Sequence, residues 1–268
     1  MSFDLGPALL FCPADRPERF GKAMERADGV IVDLEDAVLP EAKVEARRHL
    51  LAADLDPART IVRVNAPDSA DFRADLEALA QTSFRTVMVA KTESTAGLAA
   101  FDDSYSLIAL CETARGIHAA DDIAAHPLIV GMMWGAEDLV ASLGGTSSRT
   151  AAGGYRDIAR YARSRVLLEA GAHGKAAIDA VHIDIDDVGG LQSEAEDAAA
   201  SGFRATACIH PSQVAPIRAA YRPDPETVAW ARAVLAAAAE ERGVFRFQGR
   251  MVDEPVLRHA RSVVARAG

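Results

Sequence analysis

The sequence predicts an α/β chain: a (β/α)8 TIM barrel over residues 1–222, followed by a C-terminal helical extension over 223–268 that serves as a lid and oligomer contact. Three observations carry this. Eight short apolar runs recur between Ala8 and Ile209. Most are continuous rather than alternating, as strands buried on both faces of a parallel sheet require. Helical segments separate them, the alternation that closes into a barrel. An open doubly wound sheet is the alternative, but no Gly-rich fingerprint follows the first run.

Strands are expected at Ala8–Cys12, Gly29–Leu34, Thr60–Asn65, Thr86–Ala90, Leu107–Cys111, Ile129–Trp134, Ala180–Ile185 and Ala205–Ile209. Helices are expected at Arg16–Arg26, Pro40–Leu51, Ala70–Gln81, Thr95–Phe101, Ala114–Ala124, Tyr155–Ala170 and Leu191–Ala200. Asp15 is placed to cap the first helix, with Pro17 one position beyond the ideal. Tyr221 to Pro225 breaks the pattern. An Ala-rich helix Glu226–Glu241, a Gly-bounded segment with Phe245 and Phe247 in alternation, and a helix Val256–Ala267 form the tail.

With 268 residues, 50% of them apolar, the chain can bury one large core. A net charge of -10 argues against a nucleic-acid surface but not against a small anion held by local arginines. Cys12, Cys111 and Cys208 show no zinc or disulfide spacing, which suits a reducing compartment. No apolar run approaches the roughly 20 residues that span a bilayer. No basic region precedes the first apolar run, so no signal peptide and no membrane partner are expected, and the cytoplasm is the expected location.

Barrel enzymes carry their chemistry at the C-terminal rim of the strands. The strand ends supply Asp15, Arg16 and Arg19; Glu35 and Asp36; Arg63 and Asn65; Lys91 and Glu93; Glu112 and Arg115; Glu137 and Asp138; Asp186 and Asp187; and His210. Glu112 and Asp138 lie about one βα unit apart, so neighbouring strands would bring them together. Mg²⁺ is often held by one or two carboxylates plus water and substrate. Acids stabilised at helix N-termini explain the same spacing equally well. Lys91 is either a Schiff-base lysine or an ion-pair partner of Glu93 or a rim carboxylate, and the carboxylates around it favour the pair. Arg16, Arg19 and Lys22 could anchor a phosphate, although ordinary surface salt bridges are the stronger reading on sequence alone. His210 could be a base, but a satisfied rim histidine is the stronger reading. Arg156, Arg160 and Arg163 form a helical stripe facing solvent or another subunit. The loop 143–154 is mobile by composition and lacks a P-loop signature.

Several stretches carry a resemblance: PADRPERF with DLEDAV, RVNAP, VAKTES, LCETARG, GMMWGAEDL, CIHPSQV and FQGRMVDEP. Together, and in order along nearly the whole chain, they resemble the citrate lyase β-subunit-like branch of the HpcH/HpaI aldolase and malyl-CoA lyase superfamily. The resemblance implies a (β/α)8 barrel with a C-terminal extension, Mg²⁺ (or Mn²⁺) as cofactor, and a coenzyme A thioester as substrate. It also implies a homotrimer or dimer of trimers. Carried over by motif, the metal ligands fall on Glu112 and Asp138, and the enolate-stabilising arginine on Arg63. The acids beside the metal fall on Glu35 and Asp36, and the coenzyme-binding positions on Pro13, Arg16, Arg19 and Lys22. The acid/base falls on Asp253, a position that in relatives reaches into a neighbouring subunit's site. The implied reaction cleaves or forms the carbon–carbon bond of a malyl-CoA-like or citramalyl-CoA-like thioester, with a 2-keto acid and an acyl-CoA as partners. A malyl-CoA-type thioesterase and an accessory subunit acting on an acyl-carrier-bound substrate are the alternatives.

Overall fold

A computed structural model of the chain describes residue 3 and residues 5–241 and 243–267. Eight parallel strands close a barrel in sequence order. They are β1 (Ala8–Pro13), β2 (Gly29–Asp33), β3 (Thr60–Val64), β4 (Thr86–Val89), β5 (Ser106–Cys111), β6 (Ile129–Trp134), β7 (Ala176–Asp179) and β8 (Ala205–Cys208). β1 closes the ring on β8, with Ala8 opposite Thr206. Every residue of β2, β3 and β5 is buried, because one face lines the barrel and the other meets the helices. Leu9, Ile31, Ile61, Met88, Ile108 and Met133 are among the side chains filling the interior.

The helices follow in order: α1 (Phe20–Arg26), α2 (Lys43–Leu51), α3 (Phe72–Leu79), α4 (Ala114–His118), α5 (Ala120–Ala124), α6 (Ala136–Ser142), α7 (Asp157–Ala172), α8 (Val188–Ser201) and α9 (Val214–Tyr221). Three differences from expectation matter. The seventh strand is Ala176–Asp179, so 180–185 lies beyond it as a rim segment. Asp15 does not cap the first helix. A 3-10 turn starts at Pro17 with Arg16 in the cap position, and one Asp15 oxygen is buried without a hydrogen-bond partner among the described residues. The segment Ala96–Ala100 is a 3-10 turn rather than an α-helix.

The chain divides into two compact units, 1–217 and 218–268. In the second, Asp224 caps α10 (Pro225–Ala238) by accepting from the Thr227 N–H. A hairpin follows, β9 (Phe245–Phe247) and β10 (Arg250–Val252). Its turn residues Gln248 and Gly249 both have positive φ, 45° and 80°, the conformation a two-residue hairpin turn needs. α11 (Glu254–Arg266) completes the unit, whose core is Ala231, Val234, Val252, Ala260 and Val263. Among the described residues no helix is long and apolar enough to cross a membrane.

Candidate active site

The rim of β2 to β6 collects the charges. Asp33 ends β2 and is fully buried. It accepts Nε and Nη2 of Arg63 at 2.6 and 2.5 Å, the two-pronged geometry that guanidinium and carboxylate share. The other Arg63 nitrogen, Nη1, lies 3.2 Å from Glu35 Oε2, and the guanidinium stacks 4.7 Å from the Phe11 ring centre. The turn after β2 is held from both sides. The Glu35 and Ala37 N–H groups donate to Asp33, and Lys43 Nζ donates to the carbonyls of Leu34 and Glu35 and to Asn65 Oδ1.

Lys91 joins this group from the end of β4. Its ammonium donates to Glu35 and, at 2.8 Å, to Asp36, and lies 3.7 Å from Asp138 Oδ1. Its own N–H donates to Glu112 Oε1 at 3.1 Å. Glu112 follows β5 and is 2% exposed. Thr113 then caps α4 through the Gly116 N–H, turning the chain away from the rim. Asp138 sits in the first turn of α6, directly after Gly135 and the end of β6.

Asp33, Arg63, Glu112 and Asp138 line one cavity of about 170 Å³ together with apolar Phe11, Leu110, Met133, Val181 and Ile209. Burial, then repulsion from Asp138, pushes the Glu112 carboxyl up to about 8 against the pull of Arg63 and Lys91. Burial also lifts Glu35, although Arg63 and Lys91 oppose it. Asp36 goes the other way: desolvation is outweighed by the hydrogen bond and charge of Lys91. Desolvation of Lys91 is likewise outweighed, by Asp36 and Glu35, so its amine stays charged. A charged amine is no Schiff-base nucleophile, and its partners are rim carboxylates, not Glu93. That acid accepts from Thr113 Oγ1 instead.

The family model for HpcH/HpaI aldolase/citrate lyase matches residues 8–211, the whole barrel. The chain belongs to this family. It is a carbon–carbon lyase by that membership. The crystal structure of protein CitE from Mycobacterium tuberculosis in complex with magnesium, acetoacetate and coenzyme A is similar at TM-score 0.93 and 58% identity, covering 98% of each chain. The human mitochondrial citramalyl-CoA lyase is 33% identical over 97% of this chain and 85% of its own length. A (3S)-malyl-CoA thioesterase of Cereibacter sphaeroides is 33% identical over 97% of this chain and 94% of its own.

Of the expected site residues of this HpcH/HpaI family member, the structure brings together Arg63, Glu35, Asp36, Glu112 and Asp138. Pro13 ends β1 at the same rim. The Arg16 and Arg19 side chains are 57% and 62% exposed, with 3.9 Å contacts to Asp15 and Glu18 respectively, and Lys22 is exposed on α1. Asp253 lies in the second unit, where its carboxylate accepts the Val256 N–H and caps α11. Asp187 is no strand-end group: it caps α8. His210 caps the turn after β8 and bonds Ser212, as a satisfied rim histidine does. Arg163 is not a solvated side chain, since it pairs with Asp179 and Asp197 and is 18% exposed. Sequence reasoning missed Asp33, whose signal was a carboxylate at the end of an apolar strand in GVIVDLED. It also missed Ser148, whose hydroxyl donates to Glu137 at 2.6 Å and ties the loop 143–154 to α6.

Proposed function

We propose that the chain is a Mg²⁺-dependent lyase that cleaves or forms the carbon–carbon bond of a malyl-CoA-like or citramalyl-CoA-like thioester, giving a 2-keto acid and an acyl-CoA. The observation that carries this is the Glu112–Asp138 pair facing a small cavity beside Arg63. The donor chemistry fits a hard divalent cation: two carboxylates, one of them buried and pushed up by burial and by repulsion from the other. Among the described residues no cluster of three or more His, Cys, Asp or Glu is arranged as a complete metal cage, so water and substrate would supply the remaining ligands. The relative crystallised with magnesium, acetoacetate and coenzyme A supports the same assignment.

When bound, the cation would hold the carboxylate of the keto acid and polarise its carbonyl. The chain's own residues do the rest. Cleavage takes a proton from the β-hydroxyl, and the electrons of the broken bond move into the thioester as an enolate. Arg63, held by Asp33, is the donor for the enolate oxygen, an electrostatic role worth a few kcal/mol. Glu35 and Asp36 would hold water beside the cation. Asp253 would move the proton, supplied by a neighbouring copy of the 223–268 extension in a homotrimer or dimer of trimers, with residues 1–222 as the catalytic barrel. Pro13, Arg16, Arg19 and Lys22 would contact coenzyme A; the exposure of the two arginines leaves them available. Three buried free cysteines agree with the cytoplasm.

A second reading, hydrolysis of the thioester by the same site, is favoured by the thioesterase relative. Purified protein incubated with malyl-CoA, citramalyl-CoA and related thioesters decides. Keto acid plus acyl-CoA supports the lyase; free coenzyme A plus hydroxy acid supports the hydrolase. Neither product would favour the accessory-subunit reading.

A further inference from the structure

Lys91 has φ +45°, a left-handed conformation that costs a residue with a side chain free energy. Such strain persists only where the surroundings impose it, and here its effect is visible. The bend aims the Lys91 N–H at Glu112 Oε1 while the side chain reaches Glu35, Asp36 and the edge of Asp138. One residue thereby touches four carboxylates on the turns after β2, β5 and β6. Asp33 is matched by Arg63. The Lys91 ammonium is shared by Glu35, Asp36 and Asp138, and its backbone N–H holds Glu112.

We propose that Lys91 is a positioning residue with two effects: its ammonium competes with a divalent cation for the Glu112–Asp138 site and so lowers cation affinity, and it fixes Glu35 and Asp36 for the reaction. This rests on the reading of Glu112 and Asp138 as the cation ligands. The competition follows from distance, since a positive charge 3.7 Å from Asp138 repels any second cation placed on that carboxylate. The fixing follows from the hydrogen bonds, since without Lys91 Asp36 loses its ammonium partner and Glu35 keeps only its contact with Arg63 and the Asp36 N–H.

A merely structural lysine and this one give opposite results when the charge is removed. Loss of a structural residue loosens the site and weakens cation binding along with turnover. Loss of a competing charge tightens binding while turnover falls. Mg²⁺ is titrated calorimetrically into substrate-free wild-type protein, E112Q, K91R, K91M and K91Q, with the fold of each followed by circular dichroism. Wild type is expected to bind and E112Q to lose binding. K91R, which keeps the charge, should stay within about twofold of wild type. K91M should bind about tenfold tighter on the Coulomb argument, discounted for partial exposure. Its kcat on whichever thioester the wild type turns over should fall about a hundredfold, with KM little changed. K91Q reads the same loss of charge should K91M fail to fold. Binding in the charge-free variants that is equal to or weaker than wild type overturns the role of Lys91 alone. Wild-type protein that binds no Mg²⁺, or binds it undiminished in E112Q, overturns the cation-site reading and the role of Lys91 with it.

Discussion

Gly135 is packed directly against Glu112. A Cβ on residue 135 would stand 2.8 Å from both Cβ and Oε2 of Glu112. The Gly135 backbone, φ -127° and ψ 125°, suits any residue, so contact is the whole cost of a side chain there. G135A should turn Glu112 out of place and weaken Mg²⁺ binding more than about tenfold, or about 1.4 kcal/mol, with the barrel still folded. Calorimetry beside circular dichroism checks it; unchanged affinity would mean that Glu112 is held by other contacts.

Glu112 also predicts a proton. Its carboxyl lies near 8 in the fold against an ordinary 4.5. The folded, metal-free protein therefore holds more protons than the unfolded chain between those values, and its stability falls as pH rises through that window. A cation arriving at pH 7 displaces that proton. Mg²⁺ titrations in buffers of different ionisation heat should report release of about one proton, abolished in E112Q. Heats independent of buffer would count against a protonated Glu112.

Asp33 should be as important to the reaction as the groups that touch substrate. D33N removes the charged partner of a buried arginine, a change that costs about 3–5 kcal/mol in a buried pair. A lowered melting temperature and a fall in kcat of about a hundredfold or more are expected. D33N with wild-type kinetics would show that Arg63 is oriented without it.

If Arg16 and Arg19 hold the coenzyme phosphates, changing both to Ala should raise KM for the thioester far more than it lowers kcat, because they touch a non-reacting part of the substrate. Steady-state kinetics on the double variant settle the point. An equal fall in kcat at constant KM contradicts the role.

The shared site predicts complementation. D253A and E112A should each be nearly inactive, the first still binding Mg²⁺. Unfolded and refolded together as mixed oligomers, they should regain about a quarter of wild-type activity, the fraction of sites pairing an intact Glu112 with an intact Asp253 in a head-to-tail ring. Verified mixed oligomers as dead as either parent would place Asp253 outside the shared chemistry.

Strand ends were legible because continuous apolar runs stop where carboxylates begin, as at Cys111 before Glu112. The seventh strand was not. Its sequence, AAID, is weak in β-formers, while the alternation in AVHIDI belongs to a rim segment where Ile183 and Ile185 are 50% and 40% exposed. α6 was missed because it starts one residue after β6 and is too short to show a period. Within the site, the sequence placed acids at one rim and paired Lys91 with Glu93 or a rim carboxylate, but not with these particular acids. Asp33 and Glu35 share a face by alternation and Asp36 does not, yet the long reach of Lys91 gathers Glu35 and Asp36 alike.

The order of strand pairing bears on how this site comes into being. Asp33, Glu35, Asp36, Arg63, Lys91, Glu112 and Asp138 all lie on β2 to β6 or the segments that follow them, and each of those strands pairs with the next in sequence. The one distant pairing is the seam that joins Ala8 to Thr206. Loop-closure entropy makes that seam the contact most expensive to form and therefore expected last. A half-made barrel, open at the seam, already carries five carboxylates with Arg63 and Lys91 among them. The balance of charge is thus encoded in one contiguous stretch, and the site's electrostatics do not wait on closure of the seam.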